Sequence, residues 1–469
     1  MESNQRIMPN TPITEVSRSD VPPGLETPAS FDNRTAKAAL LTVFLVVVID
    51  LLGFGIVLPL LPLYARDLLL PLLPGDDNRQ LRGLLLGLLM SSFSAMQFLF
   101  APIWGLISDR IGRRPILLLG LAGSVVFYAL FGIASDLGAT VSAALGLALI
   151  FVARVGAGMA GATISTAQAV IADSTTPEKR SRGMALIGAA FGIGFTCGPL
   201  LAAASFVVPL HGAPGYAAAI FSAIALGIGL ARMPETLRAG SIARKRHWLD
   251  LHGLRTVLHN PAVGILVLTF FLATLAFGSL ESTLAFVNQV LLDPQAELTR
   301  ETAQEKVLSV EKLRQNSYVF AYVGFVLMLT QGLIYRRLVQ RIGEVRFMRA
   351  GTALMGVGLV GAVVILVTRD PDETQSWELV LAGLVVTVSV IGFALLTPSA
   401  QALISRRCDA AIQGEVLGVN QSASAMARIL GPAIGVSLFF TTTSHALPYT
   451  LGAGLLAVVL LMTLRLRQD

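Results

Sequence analysis

The chain reads as an all-α integral membrane protein, with twelve transmembrane helices arranged as two six-helix bundles related by pseudo-symmetry. Three observations predict this. The 469 residues are 54% hydrophobic and only 14% charged, with a mean hydropathy of +0.71, whereas soluble domains average about 25% charged. Apolar runs long enough to cross a bilayer, about 20 residues at roughly 1.5 Å rise, recur along the chain. Short motifs also repeat between the two halves at one nearly constant offset.

Residues 1–37 are polar and proline-punctuated (Pro9, Pro12, Pro22, Pro23, Pro28) and lack the apolar core of a signal peptide. They read as a disordered cytoplasmic tail. The first bundle covers 38–233, with spans expected near 38–64, 81–107, 115–134, 142–172, 183–208 and 215–233. A charged cytoplasmic linker, 234–260, contains Arg244-Lys245-Arg246. The second bundle, 261–469, repeats the plan with spans near 261–291, 316–338, 346–368, 378–404, 413–442 and 447–464.

Charge placement orients the chain. Of the 35 Lys and Arg, 25 fall in the tails and alternate loops on one side and 8 on the other, with Arg154 and Arg428 inside spans. Basic loops stay cytoplasmic, so both termini are expected there. The basic pI of about 9.6 is therefore topology and not a nucleic-acid footprint. Cys197 and Cys408 suggest neither a disulfide scaffold nor a metal site, and the five histidines all fall in connections. No cofactor is expected.

The halves match in several places. Ala167-Gln168-Ala169 returns as Ala400-Gln401-Ala402, and Gly198-Pro199 as Gly431-Pro432, both at an offset of 233. Arg110-Ile111-Gly112 returns as Arg341-Ile342-Gly343 at 231, the offset that also separates Asp50 from Glu281. Parallel repeats of this kind place a substrate site at the midplane between them.

Four ionisable residues lie well inside spans: Asp50, Arg154, Glu281 and Arg428. A central charge costs roughly 2.5–3.5 kcal/mol even on the lenient insertion scale. Each should face a water-filled cavity or a partner. Two acids and two arginines could cancel in pairs, or Asp50 and Glu281 could carry protons. Arg154 is the expected partner of Asp50 in the same half, which leaves Glu281 as the favoured carrier, because a nearby arginine holds a carboxyl ionised. Ser94, Gln97, Thr163, Gln168, Asn288, Gln331, Gln401, Asn420 and Gln421 sit at similar depths as candidate cavity liners, though helix packing would use them equally well.

Between spans 2 and 3 lies Gly105-Leu106-Ile107-Ser108-Asp109-Arg110-Ile111-Gly112-Arg113-Arg114-Pro115. Asp109, where the span meets the loop, could accept hydrogen bonds from a helix N-terminus, and Arg113 could pair with Asp173 at the end of span 4. The pattern G-x-x-x-D-R-x-G-R-R resembles the loop signature of the major facilitator superfamily. That resemblance implies its two-bundle fold, and a cluster that latches the cytoplasmic side; the alternative is charges that only set topology. Gly194-Phe195-Thr196-Cys197-Gly198-Pro199 resembles the G-x-x-x-G-P signature of its antiporters, although Ala202-Ala203 stand where the pattern continues with glycines.

Within the superfamily the chain resembles the tetracycline-resistance efflux branch, through Asp50-Leu51-Leu52-Gly53-Phe54-Gly55, Ala101-Pro102 and Val170-Ile171-Ala172-Asp173. The branch's span-1 aspartate, span-4 arginine and aspartate, and span-8 glutamine map to Asp50, Arg154, Asp173 and Gln331. Its remaining tetracycline-linked acids and histidine fall on Phe127, Leu327 and Met355. Leu280-Glu281-Ser282-Thr283 and Ala427-Arg428 are closer to the animal tetracycline-transporter-like proteins, for which organic anions are the implied cargo.

The resemblance implies a monomeric secondary transporter in the cell membrane, exporting small organic compounds in exchange for protons. An organic-anion facilitator or symporter, and a transport-dead receptor, are the alternatives. An enzyme is not expected, since the spans hold no histidine, nucleophile or paired-acid constellation and the chain has no phosphate-cradling loop.

Overall fold

The computed structural model describes residues 33–175, 177–237, 261–292, 310–370, 375–407 and 413–464, and every regular element among them is helical. The expected tail up to residue 32, nearly all of the expected linker and Cys408 lie outside the described residues.

Twelve helical segments follow in order. α1 runs Asn33–Val57 and resumes at Leu61–Leu69. Pro59 has no N–H to donate, so the helix breaks around it and restarts with Pro62 in its first turn. α2 is Arg79–Ile111 and α3 is Arg113–Thr140. α4 runs Ala143–Ala160, tightens through a 3-10 turn at Gly161–Thr163 and ends as Ile164–Asp173. α5 (Pro177–Ser205) and α6 (Ala213–Arg232) complete the first half. The second half comprises α7 (Pro261–Leu292), α8 (Val310–Leu329, a π-helical turn Thr330–Tyr335, then Arg336–Ile342), α9 (Glu344–Thr368), α10 (Ser376–Arg406), α11 (Gln413–Phe439) and α12 (Leu447–Leu464).

Eleven of these are long and apolar enough to cross a membrane, and the described apolar part of α5, Gly192–Ser205, is shorter. The helices overrun the expected spans. α2 is 33 residues long where about 20 suffice, because backbone hydrogen bonding continues past the apolar core into the charged ends. α1 likewise begins at Asn33, inside the stretch expected to be disordered. Leu119, Val126, Val360 and Leu461 point outward as exposed apolar residues, which suits a lipid solvent.

Small residues set how the helices meet. A Cβ on Gly55 of α1 would overlap the Gly194 carbonyl of α5, and one on Gly198 would lie 2.6 Å from the Gly55 backbone. In the second half Gly278 of α7 meets the Gly431 Cα and the Ala427 carbonyl of α11. Ala427 and Gly431 match Gly194 and Gly198 at the 233-residue offset, so Gly278 is the counterpart of Gly55, 223 residues on. Such glycine contacts let backbones approach in the absence of a hydrophobic drive between helices.

That register corrects one expectation. Glu281 is not the structural counterpart of Asp50: with Gly55 matched to Gly278, Asp50 corresponds to Ala273 and Glu281 to Leu58. The eight-residue difference places Glu281 about 12 Å further along its helix, at roughly 1.5 Å per residue. The coincidence of offsets misled because α1 and α7 are out of step with the rest of the repeat.

The two halves are joined by α2 against α11 and α5 against α8. Ser91 Oγ donates to the Ile429 carbonyl at 2.5 Å, Asn316 Nδ2 to the Pro59 carbonyl at 2.6 Å and Arg66 to Gln289 at 3.2 Å. Arg79 reaches His445 at 3.3 Å, while Thr196 Oγ1 donates to the Gly324 carbonyl at 3.0 Å near mid-depth. These bonds between the halves lie at mid-depth or toward the end opposite the signature loop.

The glycine contacts generate a test. Gly55→Ala should destabilise the protein by about 1–3 kcal/mol, the usual cost of overpacking. Gly454→Ala, where a Cβ meets nothing within 4 Å, should change stability by less than about 0.5 kcal/mol. Thermal unfolding of both variants in detergent checks the contrast.

Candidate functional site

Two groups of the expected residues come together, one at the signature loop and one in the membrane. At the loop, Gly112 adopts φ +114 between α2 and α3, a left-handed conformation open to glycine. Its missing side chain matters too, because a Cβ would lie 3.0 Å from the Glu235 carboxyl carbon. Arg113, at the start of α3, pairs with Asp109 one turn back on α2, reaches Asp173 of α4 at 3.3 Å and donates to Ser108 Oγ at 2.7 Å. One buried guanidinium thus ties α2, α3 and α4 together.

The expected acceptor at the helix N-terminus is a different residue. Asp109 pairs with Arg113, and Glu235 caps α3: its carboxylate accepts from the backbone N–H of Arg113 at 2.9 Å and of Arg114 at 3.1 Å. It also accepts from Thr236 and Leu237 N–H, both at 2.8 Å. Sequence reading missed Glu235 because Pro234-Glu235-Thr236 looks like the start of a solvated linker. Arg114 donates to the Leu230 carbonyl at 2.8 Å, which fastens the end of α6 to the same loop. Arg110 is exposed, and Gly105 faces Ser165 of α4 at a distance that would bring a Cβ to 3.8 Å from its hydroxyl.

The second half carries the Arg113–Asp173 pair with its charges exchanged. Glu344 at the start of α9 pairs with Arg406 at the end of α10 at 2.9 Å. These positions match Arg113 and Asp173 at the 231- and 233-residue offsets.

In the membrane, the expected pairing of Asp50 with Arg154 is not formed. Asp50 Oδ1 accepts from Ser124 Oγ of α3 at 2.8 Å. Arg154, 3% exposed, lies with Cζ 4.6 Å from the centre of the Phe93 ring, and its Nε and Nη1 have no hydrogen-bond partner. The reason is the helix arrangement: Asp50 faces α3, while α4 turns Arg154 toward α2. A cation over an aromatic face is attracted by the ring quadrupole, but its N–H donors stay unsatisfied. Phe54 packs 4.9 Å from Phe93 and 6.0 Å from Phe195, which makes an aromatic wall beside the guanidinium.

In the second half Arg428 is exposed, donates to Ser424 Oγ at 2.9 Å and acts electrostatically on half-buried Glu281. Gln168 and Gln401 are exposed, and Gln331 is half-buried within the π-helical turn of α8, a feature frequent at functional sites. Asn420 is buried with Oδ1 unpartnered. Gly194 and Gly198 form the α1–α5 crossing described above, with Pro199 next along α5, so the glycines of the antiporter-like motif are a packing surface in this structure. Phe127 and Met355, where the branch carries acids, are packing residues: the Phe127 ring fills the space beside Gly156, and Met355 is fully buried against Gly392. Among the described residues no cluster of His, Cys, Asp or Glu could hold a metal ion.

Partial burial works to raise the Glu235 pKa, and the backbone donors from Leu237, Arg113, Arg114 and Thr236 outweigh it, holding the carboxyl below its ordinary range. A depressed carboxyl contributes stability that is complete above its unfolded value, about 4.3, and is lost as pH falls through the folded one. Wild-type protein should therefore lose thermal stability on acidification below that range, and Glu235→Gln should lose less. Melting curves across pH check this.

The family model described as "Major Facilitator Superfamily" matches residues 43–303 and 307–469. The class E tetracycline resistance protein of Escherichia coli is 29% identical over 92% of this chain and 94% of its own length. Human "Major facilitator superfamily domain-containing protein 10" is 30% identical, covering 86% and 88%. The crystal structure titled as the human organic anion transporter MFSD10 aligns with a TM-score of 0.58 at 28% identity over 91% of this chain and 99% of that one. A D-xylose-proton symporter shares the fold, with a TM-score of 0.68 at 15% identity over 92% and 98%. With the helical fold, the signature loop and these matches in agreement, the chain belongs to the Major Facilitator Superfamily, as a multi-pass membrane transporter of its tetracycline-resistance-like branch.

Proposed function

We propose that this protein exports small organic compounds bearing a negative charge, in exchange for protons, by alternating access from a cell membrane in which both termini are cytoplasmic. The observation that carries the reading is Arg154, a buried guanidinium with Nε and Nη1 unpartnered and no acid paired with it among the described residues. An uncompensated buried charge is costly, and an anionic cargo is the partner that would repay it. The organic anion transporter among the similar structures supports the same charge preference. The missing polar groups at Phe127, Leu327 and Met355 argue against tetracycline itself.

Asp50 is the favoured proton carrier. A nearby arginine holds a carboxyl ionised; Arg428 acts on Glu281, while Asp50 accepts from the Ser124 hydroxyl and pairs with no arginine among the described residues. Glu281 lies further from the signature-loop end and serves as the second candidate. The seam at the end opposite the signature loop corresponds to a cytoplasm-facing state, and the Arg113 cluster acts as the latch for the opposite one. A facilitator without proton coupling is the competing reading, supported by the exposed Arg428 as a second anion contact.

Uptake of p-aminohippurate, a small organic anion, into vesicles with and without an imposed pH gradient separates these readings. Gradient-driven accumulation supports the exchanger, equilibration alone the facilitator, and no uptake of it or of a panel of organic anions the receptor. Asp50→Asn should reduce uphill accumulation by at least about 10-fold while exchange at equal pH stays measurable. Glu281→Gln should retain part of it. If Asp50→Asn still drives uphill transport and Glu281→Gln does not, the carrier assignment reverses. Asp109→Asn should lower transport without lowering the amount of protein in the membrane. Unchanged transport sinks the latch, and failed insertion favours a topology signal.

A further inference from the structure

One face of α2 carries the rim of the seam opposite the signature loop. Arg79, Gly83, Gly87 and Ser91 follow one another at four-residue steps, hence on one face. Ser91 donates to the Ile429 carbonyl, and a Cβ on Gly87 or Gly83 would lie 2.9 Å from the Ala433 carbonyl or from Phe440 Cβ. Those three contacts involve no charge. Arg79, the outermost, grips the turn between α11 and α12: its Nη2 lies 3.3 Å from His445 Nε2 and 3.4 Å from the Thr442 carbonyl. His445 is 8% exposed and adopts φ +56, a left-handed conformation uncommon for a residue with a side chain. Its ring stacks on Phe439 at 4.3 Å, and its Nδ1 lies 2.8 Å from the Phe439 carbonyl.

Hydrogen-bond chemistry fixes the state of that ring. An arginine only donates and a carbonyl only accepts, so Nε2 offers a lone pair and Nδ1 carries the proton, which is the neutral imidazole. We infer that His445 is a proton-operated catch on this seam, an inference that rests on the reading above that this end faces away from the cytoplasm. A proton arriving at Nε2 removes the acceptor, sets two cations against each other and frees α2 from the second half. The sign follows from linkage: the closed seam holds the ring neutral and the parted seam admits the proton, so acid favours parting and rising pH restores closure. An exchanger that brings protons inward then opens outward where protons are supplied. The other charges on the packed elements are Arg66 and Arg82, which line a pocket with Phe440, and Asp67, Asp76 and Asp77. α7, packed on Phe440 through Phe286, carries Glu281 deeper in the membrane, while α11 beyond Arg428 and α12 carry no charged residue. With Arg79, three arginines at this rim balance three acids, so the lone pair on Nε2 sets the direction. Only one proton moves, between solution and Nε2. The bland alternative is a ring that fills the turn while Arg79 caps the Thr442 carbonyl.

Spin labels on Val141→Cys and Val380→Cys, exposed positions of the two halves at this end, report the parting of the seam by double electron–electron resonance. The full-length protein sits in nanodiscs and carries Cys197→Ala and Cys408→Ala. We expect the long-distance population to rise at least about threefold between about pH 7.5 and about pH 5.5, across the ordinary titration of imidazole near 6.5. His445→Gln keeps an acceptor for Arg79 and does not titrate there, so its rise should be absent or much smaller. Arg79→Met should part the labels at both pH values. No rise with His445 in place, the same rise in His445→Gln, or a seam that stays closed in Arg79→Met overturns the inference. If His445→Gln fails to fold, His445→Asn, which suits the left-handed backbone, replaces it under the same outcomes. A membrane-impermeant maleimide on Val141→Cys tests the orientation separately. Reaction in intact cells supports the outward reading. Reaction only after lysis defeats that reading, while the pH response of the labels still decides whether His445 works the catch.

Discussion

The backbone of α1 lies against that of α5, and α7 against α11, because glycines stand at each crossing. Lipid gives helices no hydrophobic reason to associate, so close van der Waals contact supplies the attraction. Everything at mid-membrane inherits its position from these crossings. Gly55 seated on Gly194 and Gly198 sets the depth of Asp50. Gly278 seated on Gly431 sets that of Glu281, and the two depths differ. The related contacts between halves, Gly87 against Ala433 and Gly324 against Thr196, bring the two bundles into close backbone contact.

Charge is handled differently at the membrane surface and within it. At the membrane surface several charges have named partners: Arg113 with Asp109 and Asp173, Glu235 with four backbone N–H groups, and in the second half Glu344 with Arg406. Solvent is close there and exposed pairs are worth only about 0–1 kcal/mol each, so a stiff joint requires several bonds on one buried guanidinium. Inside the bilayer the pattern reverses. Arg154 keeps two donors open, and Asp50 takes one hydroxyl. Burial makes such incompleteness expensive, in contrast to the fully bonded groups that hold the surface joint.

The charge-exchanged pair Glu344–Arg406 shows how the repeat diverged. An ion pair works with either polarity as long as both members change together, so the second half keeps the joint between α9 and α10 without keeping the sequence. It was invisible to motif matching for that reason, although the positions obey the offsets.

Span number, charge placement, the signature loop and the relation between halves follow from the sequence, because each depends on local composition: lipid demands long apolar runs, and motifs are contiguous. The Arg113–Asp173 pair was legible for the same reason, being a signature position facing the end of a span. Partners inside the membrane, and the cap of α3, were not. Arg154 turned toward Phe93, Asp50 toward Ser124, and Glu235 reached the α3 N-terminus from over a hundred residues away. Rotation and depth of each helix are set by where it touches its neighbours, and no periodicity within one helix encodes them. The equal offset of Asp50 and Glu281 counted residues along the chain, while their depth was decided by glycines on two other helices.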